Sequence, residues 1–170
     1  MELSELHFFW VKNLDYISLD SVPYYSDCAP VVESLGFFLV DLKVVVSRGN
    51  TSVSAVIASK DASVNIGVND CAKVHRVLLP KLEELLNNDD VYMELTSPGM
   101  ERNIKNPAEF AFFKGREIRV WSKEVSDWVS GILEESDEHS LTLQIAVPGD
   151  KTEKKIFSYA DIAKAKFVHN

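Results

Sequence analysis

Apolar side chains recur every three or four residues in three segments of the first half of the chain, which predicts amphipathic helices. The first predicted helix lies within the first 20 residues and docks either on the body of the protein or on a partner. Its apolar stripe is Leu3, Leu6, Trp10, Leu14 and Ile17. The second begins near Ser26 or Asp27, which can cap it, and ends at Gly36. The third carries Cys71, Val74, Leu78, Leu82 and Leu85 on one stripe, and Pro80 is expected to kink or split it near Leu79.

Between the second and third helices, the pattern changes to segments rich in Val and aromatic residues. Residues 37–46 and 53–59 are such segments, and they flank a Gly49-Asn50 turn, so they predict a β-hairpin. A further strand is predicted to end at Thr96. The order helix, strand, strand, helix, strand predicts a two-layer α+β domain with helices on one face of a small mixed sheet.

After residue 97 the chain turns a corner, and from Arg116 the hydrophobic period becomes two. Residues 106–115 predict a short helix with Asn106 as cap, Pro107 at the first helical position and Glu109 in the capping-box position. Four or five short antiparallel strands follow and predict a small β-barrel. The predicted fold class is α+β. The predicted parts are a helical extension (1–25), an α+β domain (26–97), a connecting turn and short helix (98–115), and a barrel domain (116–170).

Composition and charge narrow the functional classes. The chain has 170 residues, 46% of them hydrophobic and 26% charged, as in globular proteins, and its net charge is −8. A phosphate backbone would repel such a protein as a whole, which argues against a simple electrostatic nucleic-acid binder. Any RNA contact must therefore use a local basic cluster or pass through a basic protein partner. The densest basic stretch consists of Lys114, Arg116, Arg119 and Lys123.

No motif for catalysis, metal binding or cofactor binding is found. The two cysteines and four histidines have no ligand spacing, and Cys28 and Cys71 are expected to be buried free thiols. There is no phosphate loop, nucleophile elbow or zinc-protease helix, so we expect no enzyme, cofactor or small-molecule substrate. The first residues lack a secretory signal, and no apolar run reaches about 20 residues. We therefore expect a cytoplasmic monomer that does not contact membranes.

The corner itself, residues 97–107, allows two interpretations. Ser97, Pro98 and Gly99 suit a tight turn, and the same turn can also present a contact surface. Glu101 and Arg102 either form an exposed ion pair or offer an arginine fork to phosphate or carboxylate. Trp121 and Trp128 favour burial in the core or at a barrel rim over base stacking.

Several segments, in order, resemble the family of ribosome maturation factors called RimP. The stretch ELTSPGMERNIKNPAEFAFFKGREIRVW carries the family pattern of a strand, Ser-Pro-Gly, a hydrophobic residue, an acid and Arg, and a short helix ending near Gly-Arg. PVVESLGFFLVDL and NDCAKVHRVLLPKLEE are similar to the family's upstream helices and strand, and FSYADIAKAKF to its closing stretch. The resemblance covers residues 28–168. The chain departs from the pattern at Asn103, where the family generally has Pro, and at Gly67, where it has a Thr cap.

The resemblance implies a factor that binds the free small (30S) ribosomal subunit and assists its assembly without catalysis. It implies an α+β N-terminal domain, an Sm-like or SH3-like barrel, and contacts with ribosomal RNA and a basic ribosomal protein near the decoding region. The candidate RNA contacts are Ser97, Pro98, Gly99, Glu101, Arg102, Lys114, Arg116, Arg119 and Lys123. Asp161 either caps a helical turn or anchors the protein partner. The alternative is a general RNA-binding module of Sm-like or KH-like type, which the acidic charge disfavours.

Overall fold

A computed structural model describes residues 14–99 and 101–168, with only the backbone described for Glu101. The fold is α+β, and the described residues form two compact units. The first domain is residues 18–99, and the second comprises residues 14–17 and 101–168. The amphipathic stripe predicted from Leu3 to Trp10 lies outside the described residues. From Leu14 to Ser18 the chain is not helical, so the C-terminal part of that predicted helix is wrong.

The first domain contains two α-helices, a short 3₁₀ helix and three strands. In chain order they are the 3₁₀ helix η1 (Leu19–Ser21), α1 (Tyr25–Ser34), β1 (Phe37–Ser47), β2 (Asn50–Ser59), α2 (Val68–Leu86) and β3 (Val91–Thr96). The β1 and β2 strands form the predicted hairpin, with their ends pairing at Ser47 and Asn50. The β3 strand pairs in parallel with β2, so the sheet is mixed, with β2 at its centre.

Both α-helices cover one face of this sheet. Side chains of β1 and β2 alternate between buried and exposed, and the helices contact the sheet and each other. The core between these layers contains Cys28, Val32, Leu39, Ile57, Val74, Leu78 and Leu82. Three of the five predicted α2 stripe residues are buried there, which confirms the helical face that the spacing indicated.

Helix boundaries follow the local signals with two corrections. Gly36 has φ +94 directly after α1, as expected for a glycine that ends a helix. The α1 helix begins at Tyr25, so Ser26 and Asp27 lie inside its first turn and do not cap it. The α2 helix continues through Pro80 as one helix of 19 residues, so Pro80 does not split it. At its start, Asp70 Oδ2 accepts a hydrogen bond from Gly67 N at 2.9 Å.

The second domain is a six-stranded antiparallel sheet with two 3₁₀ helices. Its elements are β4 (Glu101–Asn103), η2 (Pro107–Phe112), β5 (Glu117–Ser122), β6 (Asp127–Ser136), β7 (Ser140–Val147), β8 (Lys151–Ser158), η3 (Tyr159–Asp161) and β9 (Ile162–Val168). The strand order is β4-β9-β5-β6-β7-β8. Within the described residues β4 and β8 are the two ends of this strand order, and the predicted closure into a barrel remains a prediction.

One face of the second sheet forms a core of its own. The inward residues include Ile118, Leu133, Leu141, Leu143, Ile162 and Phe167, joined by Phe110 and Phe113. Register shifts in β6 and β9 interrupt the regular ladder, as bulges that bend strands do. At Gly131, a Cβ atom would lie 2.7 Å from the Gln144 backbone oxygen, so only glycine fits where β6 approaches β7. No helix in the described part of the chain is long and apolar enough to span a membrane.

We expect Leu78→Ala to lower the free energy of unfolding of the first domain by about 3 kcal/mol, because it leaves a cavity in the core. Leu78 is 0% exposed. Its neighbour Val77 is 43% exposed on the same helix, so Val77→Ala is the matched control and should cost under about 1 kcal/mol. Urea unfolding followed by far-UV circular dichroism measures both. Equal losses from the two variants would contradict this orientation of α2.

Candidate functional site

The predicted corner is a turn at the end of the first domain. Ser97 and Pro98 are half-buried, and Gly99 is exposed with φ +79, in the left-handed region that favours glycine. A Cβ atom at Gly99 would meet no other atom within 4 Å, so the backbone conformation explains the residue without crowding. The turn chemistry read from the sequence is confirmed. Contact with a partner at these residues remains a prediction.

Arg102 forms a largely buried ion pair within the second domain. Its Nε donates to Glu109 Oε1 at 2.7 Å, and the two side chains are 17% and 6% exposed. The register explains this orientation: Arg102 lies opposite Phe167, which lies opposite Ile118, and directly opposed residues share one face of a sheet. Arg102 therefore points toward the core side. An ion pair between Arg102 and Glu101 remains a prediction, because the side chain of Glu101 lies outside the described residues.

Asn106 caps the η2 helix, and Glu109 pairs with Arg102. The η2 helix is a 3₁₀ helix, and Asn106 Oδ1 caps it by accepting from Ala108 N at 3.1 Å, as predicted. Asn106 also pairs with the backbone of Ile17: its Oδ1 accepts from Ile17 N at 3.0 Å, and its Nδ2 donates to Ile17 O at 2.8 Å. Glu109 is buried and accepts a hydrogen bond from Arg102.

Asp161 holds the turn between β5 and β6. Its Oδ2 accepts from the hydroxyl of Ser122 at 2.7 Å, and its Oδ1 accepts from Glu124 N at 2.9 Å. The Asp161 backbone oxygen accepts from Lys123 N at 2.8 Å. The helical turn that contains Asp161 is capped by Ser158, which accepts from Ala160 N. Asp161 is thus a capping residue, but for a neighbouring turn rather than for its own.

The four residues of the basic stretch do not form one patch. Lys114 is exposed before β5. Arg116 lies toward the inner face, with its Cζ atom 5.7 Å from the centroid of the Phe167 ring. Lys123 donates from Nζ to Ala160 O at 3.3 Å, at the turn that Asp161 holds. Arg119 is on the outer face of the sheet. The period of two along a strand puts Arg116 and Arg119 on opposite faces, so the basic stretch is divided between the two faces of the sheet.

A different basic group forms on the outer face of β5, β6 and β9, and we call it the indole–cation cluster. Its members are Arg119, Trp121, Trp128, Lys164 and Lys166. The two indoles meet edge to face at 5.8 Å between centroids. Arg119 Cζ lies 5.1 Å and Lys166 Nζ 5.5 Å from the centroid of the Trp128 ring. Neither tryptophan is in the core; both are half-buried. In the sequence, Arg119 and Trp121 are two residues apart, and so are Lys164 and Lys166, which indicates that each pair shares one face of its strand. Only the strand register shows that the two pairs lie side by side.

Burial favours the neutral forms of two cysteines and one tyrosine. Burial raises the pKa of the Cys28 thiol to about 11, so this free thiol stays protonated at neutral pH. Cys71 is also free but half-buried, and burial raises its pKa as well. Burial likewise raises the pKa of Tyr159, whose hydroxyl donates to Asp137 O at 2.7 Å. In residues 14–99 and 101–168, no three His, Cys, Asp or Glu side chains are grouped to hold a metal ion.

We expect Glu109→Gln and Arg102→Met each to lower the free energy of unfolding by about 3 kcal/mol, because each breaks a largely buried ion pair by removing one of its two charges. The double variant should cost clearly less than the sum of the two. Urea unfolding of all four proteins completes the cycle. The exposed pair Lys154–Glu134, at 3.2 Å on the same sheet, is the control and should couple by under about 1 kcal/mol. Additive losses at Arg102 and Glu109 would contradict the ion pair.

We expect Asp161→Ala to destabilise the second domain by about 2 kcal/mol, since it leaves the buried Ser122 hydroxyl and the Glu124 N–H without their acceptor. Asp161→Asn, which keeps one carbonyl oxygen, should cost less. Thermal unfolding of the three proteins measures the loss. A melting temperature unchanged by Asp161→Ala would show that the turn is held without this side chain.

Residues 27–101 match the model of the RimP N-terminal domain. Two similar proteins are named "Ribosome maturation factor RimP". The one from Borrelia hermsii (strain HS1 / DAH) is 26% identical over 148 residues, which cover 87% of this chain and 96% of the relative. The one from Borrelia garinii subsp. bavariensis is 28% identical over 140 residues, covering 81% and 88%. The domain match and these nearly full-length alignments agree with the four motifs: residues 27–101 resemble a RimP N-terminal domain, and the chain as a whole is similar to ribosome maturation factors named RimP.

Proposed function

We propose that this protein is a ribosome maturation factor that binds the free small (30S) ribosomal subunit and assists its assembly in the cytoplasm. The observation that carries the proposal is the alignment with proteins named ribosome maturation factors, which spans 87% of this chain in one case. It extends well beyond the N-terminal domain match at residues 27–101, so it includes the second domain. We therefore propose that both domains take part in this function.

The proposed mechanism is transient binding without catalysis. A binding protein shifts the populations of conformations of its partner toward the state that it binds best. The described residues support this mechanism through their rigid polar contacts, the Arg102–Glu109 pair and the Asp161 turn, which hold surfaces in place. The protein acts as a monomer and needs no cofactor in this proposal.

We propose that the second domain has the architecture of a small Sm-like barrel. All its strand pairs are antiparallel, one face forms a core, and bulges in β6 and β9 together with Gly131 favour a strongly curved sheet. Curvature of this kind brings the first and last strands of a sheet toward each other. This domain would carry most of the candidate contacts.

The proposed contacts are with ribosomal RNA and with a basic ribosomal protein near the decoding region. Lys114 and Arg119 are the best-placed RNA candidates, because Lys114 is exposed and Arg119 lies on the outer face. Ser97, Pro98, Gly99 and Glu101 remain candidates at the corner. Arg102, Arg116 and Lys123 also have contacts inside the domain, so any role in RNA binding is shared with a structural one. The same holds for Asp161 as an anchor for the protein partner.

We expect the purified protein to sediment with free small subunits, and not with large subunits or complete ribosomes, in a sucrose gradient. Lys114→Glu should weaken this association about tenfold, because the reversed charge repels phosphate. Lys151→Glu is the matched control: Lys151 is an equally exposed lysine of the second domain on the edge strand β8, outside the candidate set. It should bind like the wild type.

Each outcome of this sedimentation experiment decides between functions. Protein that stays at the top of the gradient at low salt, with a native circular dichroism spectrum, contradicts the ribosomal role. Equal binding to both subunits and to unrelated RNA favours the general RNA-binding module. If the protein comigrates with small subunits and neither lysine variant weakens the association, the maturation role is supported. Lys114 is then not part of the contact surface.

A further inference from the structure

We propose that the indole–cation cluster is a binding site for single-stranded RNA with unstacked bases. Four of its members, Trp121, Trp128, Lys164 and Lys166, are not among the contact residues named above; Arg119 is. The inference rests on the proposed function only for the source of the RNA. The site itself lies on the outer face of β5, β6 and β9.

Strand register places the five side chains on two adjacent rungs of the sheet. On one rung, Trp121 lies between Trp128 and Lys164. On the next rung, Arg119 lies between Ser130 and Lys166. Directly opposed residues in an antiparallel sheet project from the same face, so all five share the outer side. The buried residues Ile118 and Val120 alternate with them along β5 and confirm that the opposite face is the core.

Folding alone does not account for this arrangement. A cross-strand pair of aromatic side chains stabilises a sheet, which explains Trp121 beside Trp128. Arg119 and Lys166, however, are like charges directly opposite each other, a pairing that destabilises a sheet. The chain has 26 acidic and only 18 basic residues, so placing three cations on two rungs runs against its composition. Glu117 lies two positions before Arg119 on the same face of β5. Its one negative charge is smaller than the three positive charges of the cluster, so the net charge of the four residues stays positive.

The chemistry of the group matches RNA better than it matches another anion. Bases that are not paired stack on aromatic rings and on the guanidinium plane of Arg, while Lys side chains contact the phosphates between them. Arg119 and Lys166 already lie over the Trp128 ring, so less side-chain freedom is lost when a ligand binds. An acidic peptide would use the cations but has no need for paired indoles.

The dimensions of the cluster limit the ligand to a short segment. Three strands about 4.8 Å apart and two rungs about 7 Å apart define a platform of roughly 10 by 7 Å. One or two nucleotides cover such a platform. A duplex would present only its phosphates to this face, since its bases are stacked on each other. The site is therefore expected to prefer single-stranded RNA over a duplex of the same sequence.

The test measures binding of the full chain to a labelled single-stranded RNA oligonucleotide and to the matching duplex by fluorescence anisotropy. We expect the wild type to bind the single strand at least tenfold tighter than the duplex. Trp128→Leu, which keeps an apolar side chain, should weaken single-strand binding at least tenfold through loss of stacking. Lys164→Glu should weaken it about tenfold and lower the slope of log affinity against log salt by about 0.7.

Lys151→Glu is the control for charge, because Lys151 is an exposed lysine on β8 outside the cluster. It should change single-strand affinity less than twofold. Thermal unfolding of each variant shows whether the second domain is folded, and Lys164→Glu, at an exposed position, carries the test if Trp128→Leu is not folded. Equal weakening by both lysine variants, equal affinity for the duplex, or equally effective competition by polyglutamate would each overturn the proposal.

The same proteins sedimented with ribosomal subunits separate this inference from the proposed function. Failure to bind the oligonucleotide, with comigration intact, overturns the RNA site and leaves the maturation role in place. Oligonucleotide binding that depends on Trp128, without comigration, supports the RNA site and contradicts the maturation role. If Trp128→Leu loses both oligonucleotide binding and comigration, while Lys151→Glu keeps both, the cluster is the part of the protein that contacts ribosomal RNA.

Discussion

The structure of the second domain depends on one constraint: residues directly opposite each other in an antiparallel sheet face the same side. The pairing of β4, β9 and β5 puts Arg102 on the side of Phe167 and Ile118, and Arg119 on the side of Lys166. A shift of one residue would exchange the two faces, exposing the core and burying the cations. Register thus decides which basic residues serve the fold and which are available to a partner.

The inward position of Arg102 creates a requirement that Glu109 fulfils. A charge moved away from water is costly unless it is paired, and the 2.7 Å bond to Glu109 supplies that pairing between β4 and the η2 helix. Such a pair is not strong evidence of added stability, but loss of either partner is expensive. The requirements of folding therefore explain why Arg102 is followed by Glu109 seven residues later. This explanation does not depend on any contact that these residues make with a partner.

Binding by this protein must be local because its net charge of −8 repels RNA at a distance. Screening limits that repulsion to about 8 Å at physiological salt, so a small positive group can still act on contact. The indole–cation cluster combines charge with stacking surfaces, and stacking depends little on salt. A site of this kind suits a factor that binds briefly and then leaves, since few phosphate contacts mean a fast release.

The sequence by itself determined the features that depend on neighbours along the chain. Period and turn residues located the β1–β2 hairpin, the α2 stripe, Gly36 after α1 and the Asn106 cap. Motif order indicated the resemblance to RimP proteins, with which the similar proteins agree. Tertiary structure alone decided the partners of Arg102 and Asp161, the outward position of Trp128 and the division of the basic stretch between two faces. It also decided that α2 runs through Pro80. These features depend on strand register and packing between distant segments, which no local pattern encodes.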